Sequence, residues 1–199
     1  MLSAGQVTRE ERLSHPVAAD FCQIFEKDMN RLYLLSFLLT TNHQLAEECF
    51  VRGLDDAIKS NRVFKEWAHA WARRMIVQNA IQMIQPQSAD RNVGPSADAD
   101  IESVAGVPAT IAAIVGLPAF DRFAFVMTVL EHYSDQESAV LLDSSRGEVV
   151  AARNRALQQI AESAELQRQL SLASTERVWR REHRSTLSQE QALPLAVSA

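Results

Sequence analysis

Two Ser-x-x-Glu boxes, Ser134–Glu137 and Ser145–Glu148, stand close together in the second half of the chain. In such a box the serine side chain accepts the third backbone N–H of a helix. The glutamate reaches back to the serine N–H, so each box starts a helix. Between them lie Ala139, Leu141 and Leu142, then Asp143-Ser144, which favours a turn over helix. After the second box, Val149, Ala152, Ala156, Leu157 and Ile160 recur at helical spacing. The pattern predicts a short helix, a turn of about three residues and a second capped helix, the outline of a helix-turn-helix. A plain helical hairpin inside a bundle has the same spacing, and both readings stay open.

Upstream the periodicity is also helical. Phe21, Phe25, Leu32, Leu35 and Leu39 predict one amphipathic helix, stopped at Thr40-Thr41-Asn42. Thr41, with Gln44 three residues on, predicts the cap of a second helix carrying Leu45, Cys49, Leu54 and Ile58 and closing at Lys59-Ser60-Asn61. A third is expected from near Val63 to Ile84, with Phe64, Trp67, Trp71, Met75 and Ile76, and Pro86 ends it. Gly116-Leu117-Pro118 introduces a further helix with Phe120, Phe123, Val126, Met127 and Leu130 on one side.

Residues 86–110 are rich in Pro, Ser, Ala, Asp and Gly and read as a flexible acidic linker. The expected class is therefore all-α, with two small helical domains. The expected organisation is a disordered leader at 1–19, a helical domain at 20–85, the linker at 86–110 and a helix-turn-helix domain at 111–170. A charged tail follows at 171–199, helical at first and then, from Leu187, disordered.

At 199 residues and 47% hydrophobic composition, the chain has material for one core or two modest ones. The formal net charge of −5 argues against a whole-protein polyanion binder, so nucleic-acid contact requires local placement of Lys and Arg. Cys22 and Cys49 sit in apolar-periodic segments and read as buried, reduced thiols. The polar N-terminus lacks the apolar run of a signal peptide, and no run is long enough for a bilayer; the expectation is a cytoplasmic protein.

No phosphate-binding glycine loop, His-Glu-x-x-His or Cys-x-x-Cys occurs, and the five histidines have no metal-ligand spacing. An enzyme, a cofactor and a small-molecule substrate are not expected.

In a helix-turn-helix the second helix presents its N-terminal side chains to the major groove. Those positions are Ser145, Arg146, Glu148, Val150, Arg153 and Asn154. Arginine pairs bidentately with guanine, and asparagine with adenine. On the third helix Trp67 and Trp71 lie four residues apart, beside Arg73, Arg74, Gln78, Asn79 and Gln82; aromatics next to Arg and amides hold unstacked bases. Trp67 reads more simply as core. Glu47, Glu48, Asp55 and Asp56 form an acidic face on the second helix, whose plain reading is solvation. The basic cluster Arg177 to Arg184 reads as a solubilising helix end, with contact to nucleic acid or to an acidic protein as its other use.

The segments Leu32 to Thr40, Leu45-Ala46-Glu47-Glu48, Phe64-Lys65-Glu66-Trp67 and Ala72-Arg73-Arg74 resemble region 2 of the sigma-70 family, in its small extracytoplasmic-function type. Leu117-Pro118 through Ile160 resembles region 4 of the same family without a gap. The resemblance implies binding to core RNA polymerase and delivery to promoter DNA. It gives Trp71, Arg73, Arg74, Gln78 and Asn79 to the single-stranded −10 element, and the capped second helix to the −35 duplex. It assigns Glu47, Glu48, Arg52 and Asp55 to the polymerase contact, and an anti-sigma or other regulatory protein is a further implied partner.

The departures are specific. Val51 and Arg52 replace the usual Gln-Glu pair, and Val150-Ala151-Ala152 replaces a polar run. Gln78 to Ile84 is not basic. Residues 20–85 carry eight acidic and eight basic side chains, and 117–160 carry six and four. A degenerate sigma-like scaffold acting through protein contacts, with little DNA binding, is the alternative.

Overall fold

A computed structural model of the chain describes residues 17–59, 64–87 and 108–190; along the last helix it describes side chains as far as Gln169 and at Leu172. The described residues are helical and contain no strand, which is the expected all-α class. None of their helices is long and apolar enough to cross a membrane.

Helix α1 (Ala18–Lys27) and helix α2 (Met29–Thr40) replace the single first helix expected from the apolar period. Asp28 separates them at φ −101° and ψ 16°. Its carbonyl accepts Arg31 N–H and Leu32 N–H, and its carboxylate meets His69 Nδ1 at 3.0 Å. Because the break costs no residue, Phe25 and Leu32 remain in register, and the periodicity does not reveal it.

α2 ends on Thr41 at φ 60°, within the expected stop. The next cap is Asn42 rather than Thr41: Leu45 N–H donates to Asn42 Oδ1 at 3.0 Å. Asn supplies this acceptor as well as Ser or Thr does. Helix α3 (His43–Lys59) follows. The third expected helix begins as a 3₁₀ turn, Lys65–Trp67, and continues as α4 (Ala68–Ile84), closing on Gln85 at φ 49° directly before Pro86.

The second half holds α5 (Ala109–Val115), α6 (Ala119–Phe125), a π-helical turn Val126–Leu130, α7 (Asp135–Leu141) and α8 (Arg146–Glu190). Most of the expected linker, and the leader apart from its last residues, lie outside the described residues. α8 passes residue 170 without interruption and reaches Glu190, beyond Leu187, where disorder is expected. The side chains of the cluster Arg177 to Arg184 lie outside the described residues.

The core explains the order of packing. Leu35 to Thr40 are all buried, so the second half of α2 is covered on every face. A helix apolar all round needs neighbours all round. α3 and α4 cover one side, and α5 and α6 from the second half touch the other. The polar residues of α2 are satisfied within it, Ser36 Oγ donating to Leu32 O (3.0 Å) and Thr40 Oγ1 to Ser36 O (2.8 Å). α3 and α4 approach closely at Gly53, where a Cβ would stand 2.8 Å from Ile76 Cγ1. α6 is buried from Phe120 to Phe125 and packs chiefly on α8.

The buried polar residues of α6 each have a partner. Asp121 takes a bidentate pair from Arg155, Nε to Oδ2 at 2.9 Å and Nη2 to Oδ1 at 2.5 Å. Arg122 donates from Nη1 to Leu117 O (2.8 Å) and from Nη2 to Leu39 O (3.2 Å). Cys49 is buried as expected, but Cys22 is exposed: it lies between the buried Phe21 and Ile24, on the outer face of α1.

Candidate nucleic-acid interface

Both capping boxes form. Glu137 N–H donates to Ser134 Oγ at 3.2 Å, and Ser134 N–H to Glu137 Oε2 at 3.0 Å. The second box repeats this, with Glu148 N–H to Ser145 Oγ at 3.2 Å and Ser145 N–H to Glu148 Oε2 at 3.0 Å. Between them Asp143 turns the chain at φ 47°, and Leu142 and Ala139 are buried with Val149, Ala152 and Ala156 of α8. The short helix, the turn and the second helix are thus set by two local caps and one small shared core, an arrangement common to a helix-turn-helix and a plain helical hairpin.

Its exposed surface is narrower than the sequence suggests. Arg146 and Asn154 are exposed, and Val150 is half-buried. Ser145 and Glu148 are engaged in their box. Arg153 turns back to α7, its Nη1 2.5 Å from Asp135 Oδ1, with only 27% and 19% of the two side chains exposed. An arginine held this way braces α7 against α8 and is not open to a base edge. Arg146 and Asn154 are therefore the polar side chains that the start of α8 offers outward.

The region 2-like residues gather on one stripe of α4. Trp67, Ala70, Trp71, Arg74 and Gln78 follow helical spacing, and they line one wall of a cleft of about 780 Å³. Trp67 is 56% exposed, so the core reading fails for it: it precedes α4 in the 3₁₀ turn, where it packs edge-on against Phe64. Trp71 is half-buried. Asn79 leaves the set. It is buried on the α3 side, donating to Asp56 Oδ2 at 2.8 Å and to Met75 O at 3.0 Å.

The opposite wall is the turn from Glu131 to Tyr133, with Glu137. Nothing in the helical period of α4 announces this wall, since it belongs to the other half of the chain. Only Ser134–Glu137, legible as a cap, marks its edge. His132 sits at φ 58°, closing the π turn as Tyr133 N–H returns to Met127 O at 2.9 Å.

Glu131 Oε2 meets Arg73 Nε at 3.2 Å with 12% of its side chain exposed. Burial raises the Glu131 carboxyl above its usual range, against the pull of Arg73, Arg31 and His132. Burial also raises the Tyr133 phenol, which the Arg74 charge opposes. The two bonds from Ser134 lower the Glu137 carboxyl, and Arg74 lowers it further. The cleft thus combines aromatic rings with two guanidinium groups, and one of them, Arg73, is paired with Glu131 from the other wall.

The residues that the resemblance assigns to a polymerase contact lie on the outer face of α3. Glu47 is exposed, Glu48 pairs with Arg52 at 2.5 Å, and Asp55 pairs with Lys59. These pairs are internal to one helix, so they leave a mixed-charge, solvated face beside the exposed Val51. His43 stacks on Phe37 at 4.6 Å and accepts or donates a bond with Tyr33 Oη at 2.9 Å, an arrangement that scattered histidines in a sequence do not announce. Among the described residues no group of His, Cys, Asp and Glu could hold a metal ion.

No protein-family model matches the chain, and no curated protein matches it.

Proposed function

We propose that the chain is a divergent sigma-type transcription initiation protein of the cytoplasm that binds core RNA polymerase and directs it to promoter DNA. The observation that carries this reading is the doubly boxed helix-turn-helix, with Arg146 and Asn154 exposed on the first turns of α8. Its order in the chain supports it too. It follows a helical half whose α4 presents Trp71, Arg73, Arg74 and Gln78 along one cleft wall. In this reading α8 addresses the duplex, the α4 stripe addresses an unpaired strand, and the outer face of α3 addresses the polymerase.

Size-exclusion chromatography of the full chain with core polymerase tests it first. Co-elution at moderate salt is expected, followed by transcription that depends on promoter sequence. A folded chain that never co-elutes would remove this reading.

One observation favours a second reading, a sigma-like scaffold acting through protein contacts. Arg153, Arg155, Arg73 and Asn79 all spend their polar groups on partners within the chain. That reading predicts a protein complex without measurable duplex affinity. Sharply salt-dependent binding to a defined promoter would exclude it.

A further inference from the structure

We propose that the cleft between α4 and the turn from Glu131 to Tyr133 is a binding site for a free guanine nucleotide, its base stacked on Trp67 and Trp71, its N–H edge on the Glu131 carboxylate and its phosphate on Arg74. The site stands apart from promoter recognition. Its base-reading carboxylate and its phosphate-binding guanidinium come from different halves of the chain, and it needs no DNA.

A cleft of about 780 Å³ lies within the range that holds small ligands. Trp67 and Trp71 supply aromatic surface on one wall, and Ala70, between them in sequence, adds no bulk to it. Trp67 keeps 56% of its surface exposed. Stacking is tolerant, because every base has a π-face. The rings therefore select a flat heterocycle, and the choice among bases falls to the opposite wall.

That wall offers a carboxylate short of donors. Glu131 has 12% of its side chain exposed, and its ion-pair partner among the described residues is Arg73, Nε to Oε2 at 3.2 Å. A carboxylate has about four lone-pair sites, and this contact uses one. Burial outweighs the charges of Arg73, Arg31 and His132, so the ionised form is under-compensated. A ligand that brings two adjacent N–H donors supplies what is missing. Guanine does so along one edge, with N1–H and the 2-amino group. Adenine and cytosine set one amino group beside an acceptor nitrogen, and uracil sets one N–H between two carbonyls.

The two guanidinium groups of the cleft are not equivalent. Arg73 is engaged by Glu131, whereas Arg74 has no ion pair among the described residues and acts on Glu137 and Tyr133 through its charge. Glu137 is exposed and already bonded to Ser134 through Oε2, so water screens its hold on Arg74. A phosphate matches the planar fork of a guanidinium and forms charge-assisted bonds with it. One guanidinium left for phosphate suits a mononucleotide better than a strand, whose affinity grows with the number of phosphates neutralised.

Equilibrium dialysis of the full-length chain against radiolabelled guanosine 5′-monophosphate (GMP), with unlabelled nucleotides as competitors, tests the site. One GMP per chain is expected. Inosine monophosphate lacks only the 2-amino group and should compete about tenfold more weakly than GMP. Adenosine and cytidine monophosphates should compete no better than inosine monophosphate. Guanosine, without the phosphate, should also lose about tenfold. Arg74→Ala should bring GMP down to the level of guanosine. Glu131→Gln keeps one acceptor and loses the other, so GMP and inosine monophosphate should then compete within about twofold of each other.

Equal competition by all the monophosphates on the wild type makes the cleft a phosphate site and overturns the guanine assignment. No binding of GMP at millimolar concentration overturns the site itself. Each variant is checked for helix content by circular dichroism, and if Glu131→Gln does not fold, GMP against inosine monophosphate on the wild type decides. A single-stranded DNA with one guanine among thymines carries the same chemistry. If it binds in a Glu131-dependent way while GMP does not bind, the free-ligand proposal is overturned and the proposed function stands. If GMP binds as described and core polymerase does not, the proposed function falls and the nucleotide site stands.

Discussion

The guanidinium of Arg122 donates to the carbonyl of Leu39, 83 residues earlier in the chain, at 3.2 Å. Leu39 lies in the last turn of α2, where carbonyls have no partner within the helix and the helix dipole is negative. A buried cation without a carboxylate is costly, and here the carbonyls of Leu39 and Leu117 take that role. Burial pushes the Arg122 guanidinium down to about 10, so it still carries its charge at neutral pH. Its Nε has no protein partner.

Replacing Arg122 by alanine should cost about 3 kcal/mol, since it opens a cavity and strands two buried carbonyls. Arg122→Met should cost clearly less: it fills the volume and removes a desolvated charge. Urea unfolding followed by circular dichroism gives both values. Equal losses would mean that the hydrogen bonds, not the packing, carry the contribution of Arg122.

The crossing of α3 and α4 gives a sharper steric prediction. Alanine is the better helix former by about 1 kcal/mol, yet at Gly53 its Cβ would meet Ile76 Cγ1 at 2.8 Å and Ile76 backbone atoms at 3.4 Å. The near atom is anchored close to the backbone of α4, so the helices themselves must part. Gly53→Ala is expected to lose about 1–2 kcal/mol net and Gly53→Val more. A neutral or stabilising Gly53→Ala in urea unfolding would show that α3 and α4 sit farther apart.

The arginines of the helix-turn-helix should separate by role. Arg146→Ala removes an exposed side chain, so under the proposed function it should weaken promoter duplex binding without moving the unfolding midpoint. Arg153→Ala breaks a partly exposed pair with Asp135 and should cost about 1 kcal/mol in stability. Arg155→Ala leaves the Asp121 carboxylate, 9% exposed, without its bidentate partner, and should cost about 3 kcal/mol. Anisotropy on duplex DNA beside urea unfolding tells these apart. A stability loss in Arg146→Ala, or a binding loss confined to Arg153→Ala, would reverse the assignment.

Much of this was legible in the residues because it is local. Ser134–Glu137 and Ser145–Glu148 cap helices within four residues, and Pro86 stops α4 by its own covalent geometry. What the sequence hid depends on which faces meet. Asn79 and Gln78 are neighbours of similar chemistry, yet one faces Asp56 across α3 and the other faces the cleft. Trp67 sits at the end of a 3₁₀ turn, where the helical period that made it core does not apply. The second wall of the cleft is remote in sequence from α4, and only tertiary packing brings Glu131 to Arg73.

The thiols should behave unequally. Cys22 is exposed, whereas Cys49 is buried, donates to Ile76 O at 3.4 Å and is pushed up to about 11 by burial. The thiolate is the reactive form, so at pH 8 the native chain should show one fast-reacting thiol towards an aromatic disulfide reagent, with the second appearing only on unfolding. Because Cys49 lies between α3 and α4, its labelling rate reports opening of that core. Two fast thiols in the native chain would place Cys49 near solvent.

The last prediction concerns acid. Ser134, through its side chain and then its backbone N–H, lowers the Glu137 carboxyl. A carboxyl whose folded value lies below its unfolded one contributes stability that is present above the ordinary carboxylate range. That contribution is lost as pH falls through the lowered folded value. Glu131 runs the other way: burial raises it, so the folded chain takes up its proton sooner, and its share of stability grows as pH falls. The two carboxyls, on the same cleft wall, therefore have opposite signs in acid. Ser134→Ala should lose about 1 kcal/mol at neutral pH, where the box is complete. The gap between wild type and Ser134→Ala should narrow as pH drops below the ordinary glutamate value of 4.5, because the carboxylate that distinguishes them is then being protonated in both. Glu131→Gln should show the reverse trend against the wild type, gaining relative stability at neutral pH and losing that advantage in acid. Urea unfolding at neutral pH and at about pH 3.5 measures both differences. A gap for Ser134→Ala that is the same at both pH values would mean that the serine acts through its own N-cap bond alone, without the glutamate.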